Sequence, residues 1–135
     1  MTGLRKFRRD HGGATAVEFA LAAVALVLFV FGAEEMSRML WTQQVLQSTA
    51  TETARCLAIA SVTCPDAGAY AVAAAAKRGL TDLQPANVAV STNDACGSSM
   101  GIFTKVTITY AFTPVTPVNI PSPTGGLSAS GCFPH

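Results

Sequence analysis

The chain divides into an apolar stretch near its N-terminus and a longer second part in which polar and apolar positions are mixed. Residues 14–33 carry a single charge, on Glu18. A stretch of about 20 apolar residues is long enough to cross the hydrocarbon of a bilayer as a helix. The pattern therefore predicts a transmembrane segment over residues 14–35.

Beyond this stretch, apolar or small residues continue at an imperfect helical spacing. They are Met36, Leu40, Leu46, Ala50, Ala54 and Leu57, and they are interrupted by Gln43 and Gln47. Between residues 14 and 60 there is no proline, and Gly32 is the only glycine. We predict one helix of about 45 residues, about 65–70 Å long. Its second part, residues 36–60, would continue outside the membrane.

A second, shorter helix is predicted after residue 66. Pro65 disfavours helical geometry in the residue before it and so ends the long helix. Asp66 can cap a helix over residues 67–78, and Gly79 can end it. The alanine run at residues 73–76 favours helix and would allow close packing on the long helix.

The remaining pattern predicts a short antiparallel sheet. Strict alternation over residues 105–112 predicts a half-buried strand, and residues 87–91 predict a shorter one. The prolines Pro114, Pro117, Pro121 and Pro123 exclude a central strand over this segment. We expect an extended surface tail unless Cys132 holds it. The fold class is therefore α+β: a long N-terminal helix with a small head, residues 61–135, of one helix and a short antiparallel sheet.

The charge distribution predicts the topology. The leader, residues 1–13, contains one acid and four basic residues, namely Arg5, Lys6, Arg8 and Arg9. Subtracting its charge of +3 from the formal net charge of +1 leaves −2 for the remainder. Basic residues before the apolar stretch favour a cytoplasmic N-terminus, a single pass through the membrane and an extracytoplasmic head. The leader charge gives no reason to expect nucleic-acid binding.

The end of the apolar stretch bears on its processing. A cleaved secretory signal ends in small residues of A-x-A type, whereas this stretch runs into Glu34 and Glu35. The favoured interpretation is a retained membrane helix whose leader is cut on the cytoplasmic side, and an uncut signal anchor is the alternative. We expect Glu34 and Glu35 to mark the outer boundary of the membrane, with a contact to another subunit as the alternative.

All four cysteines follow the membrane segment, on the side where disulfides persist. They are Cys56, Cys64, Cys96 and Cys132. Three pairings are possible. We favour Cys56–Cys64, closing the end of the long helix, and Cys96–Cys132, pinning the tail, with free buried thiols as the alternative. The spacing does not favour a zinc site.

No enzyme site is expected from this sequence. The two histidines are His11, in the leader, and His135, so the usual acid–base and metal-ligand sets are hard to assemble. Neither a phosphate-binding glycine loop nor a serine-nucleophile elbow occurs. We expect no catalytic residue, no cofactor and no metal.

The start of the apolar stretch resembles the processing site of type IV prepilins. In the run Gly13-Ala14-Thr15-Ala16-Val17-Glu18-Phe19, cleavage after Gly13 would place Glu18 fifth in the mature chain. The pair Glu18-Phe19 resembles the pattern found at this position in the tight-adherence branch of these proteins. The resemblance implies that Glu18 neutralises the new α-amine on Ala14 during assembly. The alternative is an interfacial glutamate that interacts with the helix dipole.

Further motifs resemble the TadE-like family of tight-adherence pilus proteins. They are Phe31-Gly32-Ala33-Glu34-Glu35, Ser37-Arg38 and Thr53-Ala54-Arg55. Major pilins of this system are little more than the helix, so the head indicates a minor pilin or pseudopilin acting in pilus assembly or priming, in the membrane or at the pilus base. The implied partners are a prepilin peptidase, other pilin-like subunits, an inner-membrane assembly platform and membrane lipid. Two alternatives are a pseudopilin of a secretion system and a signal-anchored extracytoplasmic binding module.

Overall fold

One long helix extends through the structure and carries a small head on its second half. The computed structural model describes residues 12–59, 64–96, 101–115 and 126–134. Helix α1 is Gly12–Ala58, whose 47 residues make it about 70 Å long. Helix α2 is Ala67–Ala76, and a short 3-10 helix is Pro85–Asn87. Strands β1 (Val88–Asp94), β2 (Phe103–Tyr110) and β3 (Leu127–Pro134) form an antiparallel sheet in that order, which confirms the predicted α+β class.

The core of the head lies between α1, α2 and one face of the sheet. Its fully buried large side chains include Leu46 of α1, Leu83 before the 3-10 helix, and Val106 and Ile108 of β2. Small residues let the two helices approach closely. These are Ala50 and Ala54 on α1 and Ala71, Ala74 and Ala75 on α2, all buried. The alanine-rich composition of α2 therefore has the packing role that its sequence suggested.

Helix α2 begins at the predicted cap, Asp66, and the predicted glycine, Gly79, lies in the turn that follows its end. The Asp66 carboxylate accepts a hydrogen bond from the Ala69 N–H at 3.0 Å. At the other end the Leu80 N–H donates to the Ala75 carbonyl at 3.1 Å, and Gly79 between them has φ +86°. This is a Schellman turn, which requires a left-handed residue that glycine adopts at low cost. The helix itself ends at Ala76, two residues before the predicted end, and this turn follows it.

A hydrogen-bonded ion pair joins α1 to the turn that follows α2. The Arg78 guanidinium donates to the Glu52 carboxylate at 2.6 Å, and the Tyr70 hydroxyl donates to the same carboxylate at 3.0 Å. The hydrogen bond from Arg78 lowers the pKa of Glu52, and burial raises the pKa of Tyr70. Both groups thus favour the ionised glutamate and the neutral phenol that the hydrogen bonds require.

Strand β2 lies at the centre of the sheet and follows the predicted alternation. Thr104, Val106 and Ile108 are buried, whereas the residues between them are partly exposed. Val106 is paired with Val90 on one side and with Gly131 on the other. The strand starts and ends two residues earlier than predicted, and β1 reaches Asp94 rather than Ser91.

The C-terminal part of the predicted tail is held through Cys132, the exception that we allowed, and it forms a strand that was not predicted. β3 pairs with β2 along its whole length, from Leu127 opposite Tyr110 to Pro134 opposite Phe103. Leu127, Ala129 and Gly131 are buried against α1, and the serines between them are exposed. The alternation was readable, but serine and glycine gave it little β propensity. β3 is an edge strand, with a neighbouring strand on one side only. Its terminal proline, which has no N–H, is therefore tolerated there.

Two glutamines of α1 bind the free edge of β3. The side-chain amides of Gln43 and Gln47 donate to the carbonyls of Ser128 at 2.8 Å and Ser130 at 2.9 Å. These are the two residues that interrupt the apolar spacing of α1. Unpaired carbonyls on a sheet edge invite pairing with another chain, and the glutamines occupy them. The interruption of the pattern is therefore a specific contact between helix and sheet.

We predict that Gly131→Ala destabilises the head strongly. A Cβ built at Gly131 would overlap the backbone of Ala50 and Thr51, because β3 lies directly against α1 there. Overpacking of a core costs about 1–3 kcal/mol, occasionally more. In a small domain each kcal/mol lowers Tm by about 4–8 °C. Thermal unfolding in detergent micelles measures this effect. The control Ser130→Ala changes an exposed neighbour whose backbone carbonyl, not its side chain, binds Gln47, and an equal loss there would contradict the explanation.

Candidate functional site

The first half of α1 has no packing partner among the described residues. Its apolar side chains are exposed, including Phe19 at 76% and Phe29 at 74%. Within the described part of the chain, this is the one helix long and apolar enough to cross a membrane, and none of its most apolar window is buried. A soluble protein would cover such a surface with its own core. The length and apolar composition of the segment suggest a single-pass membrane anchor.

The predicted scissile bond lies in the first turn of this helix. α1 begins at Gly12, so Gly13 and Ala14 are helical. The sequence places two adjacent glycines, Gly12 and Gly13, at this point. Two glycines weaken the first turn, because glycine is the least favourable helix former apart from proline. Unwinding this turn for a peptidase would therefore cost little. A Cβ at Gly13 would meet no atom within 4 Å, so the fold itself does not require glycine at this position.

Glu18 follows Ala14 by one helical turn. Residues four apart lie on the same face of a helix, so the carboxylate of Glu18 and the backbone of Ala14 are neighbours on α1. Both Glu18 and the adjacent Phe19 are exposed. The helix thus presents an isolated acid on an apolar surface, one turn beyond the predicted cleavage point.

A buried acid, Glu35, lies at the junction between the anchor and the head. Glu35 is only 3% exposed, whereas its neighbour Glu34 is exposed. The Glu35 carboxylate pairs with Arg38 at 3.2 Å and accepts the Val115 N–H at 3.4 Å. A buried carboxylate is costly unless it is paired and hydrogen-bonded, and these contacts supply its partners.

Arg38 also contacts the segment that follows β2. Its guanidinium lies 5.7 Å from the centre of the Phe112 ring, in cation–π geometry. The predicted role of Glu34 and Glu35 as a pair of boundary acids therefore separates into two roles. Glu34 faces outward, and Glu35 fastens the segment after β2 to α1. The sequence contained one local signal, the spacing of three residues between Glu35 and Arg38, but the contact to Val115 spans 80 residues.

Both disulfides have the pairing that we favoured. Cys56 is bonded to Cys64 across the end of α1, and Cys96, which follows β1, is bonded to Cys132 of β3. The second bond joins the two outer strands of the sheet at one end. Since the head is small, such crosslinks contribute a substantial part of its stability.

The described residues offer no metal centre. Nowhere among them do three side chains of His, Cys, Asp or Glu come close enough to share an ion. Two features remain as candidates for function. One is the exposed first half of α1, which carries Glu18 near its start, and the other is the junction between this half and the head, where Glu35 is buried.

Comparison with protein-family models gives a match over residues 13–55, to the family described as TadE-like protein. Residues 13–55 are TadE-like. The suspected relationship is thereby confirmed for nearly all of α1, and the matched region begins at Gly13. No curated protein and no solved structure is significantly similar to the chain.

The TadE-like match implies involvement in assembly of the tight-adherence pilus. The matched residues include Glu18 on the exposed half of α1 and Glu35 and Arg38 at the junction. The TadE-like region ends before Cys56, so the head, apart from the part of α1 on which it packs, lies outside the match.

Proposed function

We propose that this chain is a minor pilin-like or pseudopilin-like subunit that acts in the assembly or priming of a tight-adherence pilus. The observation that carries the proposal is the TadE-like match beginning at Gly13 on a helix whose first half is apolar and exposed. An exposed apolar half-helix suits both environments that such a subunit would occupy. It can lie in lipid before assembly and pack against other helices in a filament afterwards.

The proposed processing removes residues 1–13. A prepilin peptidase cuts between Gly13 and Ala14 on the cytoplasmic side and leaves a new α-amine on Ala14. The basic leader keeps this end in the cytoplasm, and the head stands outside the inner membrane. The extracytoplasmic compartment also permits the two disulfides of the head.

Glu18 has an electrostatic role in this proposal. The amine on Ala14 carries a positive charge into an apolar surrounding, where an uncompensated charge is costly. The Glu18 carboxylate, in the same or a neighbouring subunit, neutralises that charge as subunits pack. Because attraction between charges is stronger in a low dielectric than in water, the pair matters most once the helices are assembled.

The proposed partners follow from these steps. They are the prepilin peptidase, other pilin-like subunits and an inner-membrane assembly platform. Membrane lipid, which would surround the anchor, is the fourth proposed partner. The head, fastened to α1 by Glu35, Arg38 and the sheet, would be carried as one body on the anchor and presented to the growing pilus.

Deletion and complementation test the proposed function. A strain that lacks the chain should lose surface pili and adherence, and wild-type chain supplied in trans should restore them. A Gly13→Val chain should fail to restore them, because the cut after residue 13 is blocked. It should still fold, because a Cβ at Gly13 meets nothing within 4 Å. Unchanged pilus numbers in the deletion strain would refute the proposal. Loss of protein secretion with pili intact would favour a secretion pseudopilin instead.

A further inference from the structure

Exposed apolar side chains surround the base of the head, directly beyond the membrane segment. They are Met36, Leu40 and Trp41 on α1 and Val115 after β2. Met36 and Leu40 lie on one side of the helix, and Trp41 lies on another. Trp41 is 56% exposed, although its ring also contacts Gly79 at the end of α2. We call these four residues the basal ring.

Val115 fixes the level of the head. Its N–H lies 3.4 Å from the carboxylate of Glu35, which is the second residue after the apolar stretch ends at Ala33. Helical side chains lean toward the N-terminus, so the Glu35 carboxylate lies close to the level of Ala33. Val115 is 75% exposed at this level. An apolar side chain of the head thus lies where the hydrocarbon of the bilayer ends.

Leu40 and Trp41 stand slightly further out. Trp41 is eight residues beyond Ala33, or about 12 Å along the helix axis, and its side chain leans back toward the membrane. The polar layer on each side of the hydrocarbon is about 5–8 Å thick. The Trp41 ring therefore reaches the interfacial layer, in which tryptophan is enriched because its ring is apolar and its N–H is polar.

Charge at this level is compatible with the bilayer surface. The Glu35 carboxylate and the Arg38 guanidinium are 3.2 Å apart and compensate each other. Glu34 is exposed and can remain among the headgroups. The base of the head can therefore approach lipid without a further partner to neutralise the charge of Glu35.

We propose that the basal ring is immersed in the interfacial layer of the bilayer that α1 spans, so that the head rests on the membrane. The surface is continuous with the apolar half of α1, and this continuity identifies lipid as the occupant. The inference rests on the membrane anchor alone. It requires neither cleavage after Gly13 nor assembly of a pilus.

Depth-dependent fluorescence quenching tests the proposal, because Trp41 is the only tryptophan in the chain. The full chain is reconstituted in vesicles of phosphatidylcholine and phosphatidylglycerol that contain phosphatidylcholine brominated either near the headgroup or near the chain ends. Three further single-tryptophan chains are made in a Trp41→Phe background. Phe29→Trp reports the hydrocarbon, Val115→Trp reports the head, and Ile59→Trp, at a site 61% exposed near the far end of α1, reports water. Circular dichroism checks that each chain folds.

The expected result is the same for native Trp41 and for Val115→Trp. Both should emit at shorter wavelength than Ile59→Trp and lose more intensity with bromine near the headgroup than with bromine near the chain ends. Phe29→Trp should show the opposite order. A Val115 reporter that behaves like the Ile59 reporter would overturn the proposal, since the helix alone would then enter the membrane. A second outcome would also overturn the proposal. If Trp41 emits at short wavelength, is not quenched by bromine, and loses this short-wavelength emission when the protein is diluted with more lipid, then a second copy of the chain, not lipid, covers it.

Discussion

A Glu18→Ala chain should reach the membrane, lose residues 1–13 and yet support no pili. Removing a carboxylate from an apolar helix should ease insertion, because an acid at a helix centre costs about 2.5–3.5 kcal/mol on insertion scales. In the proposed mechanism, cleavage needs the first turn of α1, whereas packing needs the charge of Glu18 beside the amine of Ala14. Pilus number and surface adherence should therefore fall to the level of the deletion strain, while immunoblots show a cut protein in normal amount.

Glu34→Ala is the matched control for this prediction. It removes the same charge from an exposed site at the opposite end of the apolar stretch. Pili should persist with Glu34→Ala and disappear with Glu18→Ala. Wild-type pilus numbers with Glu18→Ala would refute the assembly role and leave Glu18 as an interfacial residue. Loss of pili in both variants would point to a general effect of charge near the membrane.

The second large effect is expected from the disulfide between Cys96 and Cys132. The bonded residues are 36 apart in sequence, and those of Cys56–Cys64 are 8 apart. In the chain-entropy model, closing loops of these lengths stabilises the fold by about 4 and about 2.5 kcal/mol respectively. A Cys96→Ala/Cys132→Ala chain should therefore unfold at clearly lower urea concentration than a Cys56→Ala/Cys64→Ala chain, and both at lower concentration than wild type.

Urea unfolding in micelles, followed by circular dichroism, compares the three chains. The comparison is internal, because each double variant removes one crosslink and leaves the other. Non-reducing peptide mapping of the wild-type protein should first find both pairs oxidised. An equal or greater loss for the Cys56–Cys64 pair would mean that loop length does not govern the contribution of these bonds.

The parts of the fold that could be predicted are those with local signals. α1 was predictable because a long run without proline contained an apolar stretch, and α2 because Asp66 and Gly79 supplied its caps. β2 was predictable because it alternates strictly over a face that is half buried. In each case the information lay within a few residues of the element that it specified.

The parts that could not be predicted depend on contacts between distant residues. β3 lies behind a proline-rich segment and is built largely of serine, glycine and alanine, so that its pairing with β2, not its propensity, makes it a strand. Glu35 looked like a boundary acid because nothing nearby in sequence indicates Val115. Gln43 and Gln47 looked like interruptions, and only the position of β3 gives them a role.

The intact mass of the protein from its native membrane tests the central claim most directly. A pilin-like subunit cut after Gly13 should have the mass of residues 14–135, with or without an N-methyl group on Ala14, and should lack the four hydrogens lost in forming two disulfides. In cells without prepilin peptidase the mass should include residues 1–13. Full-length protein in cells with an active peptidase would contradict the account, because the amine that Glu18 is proposed to neutralise would never form.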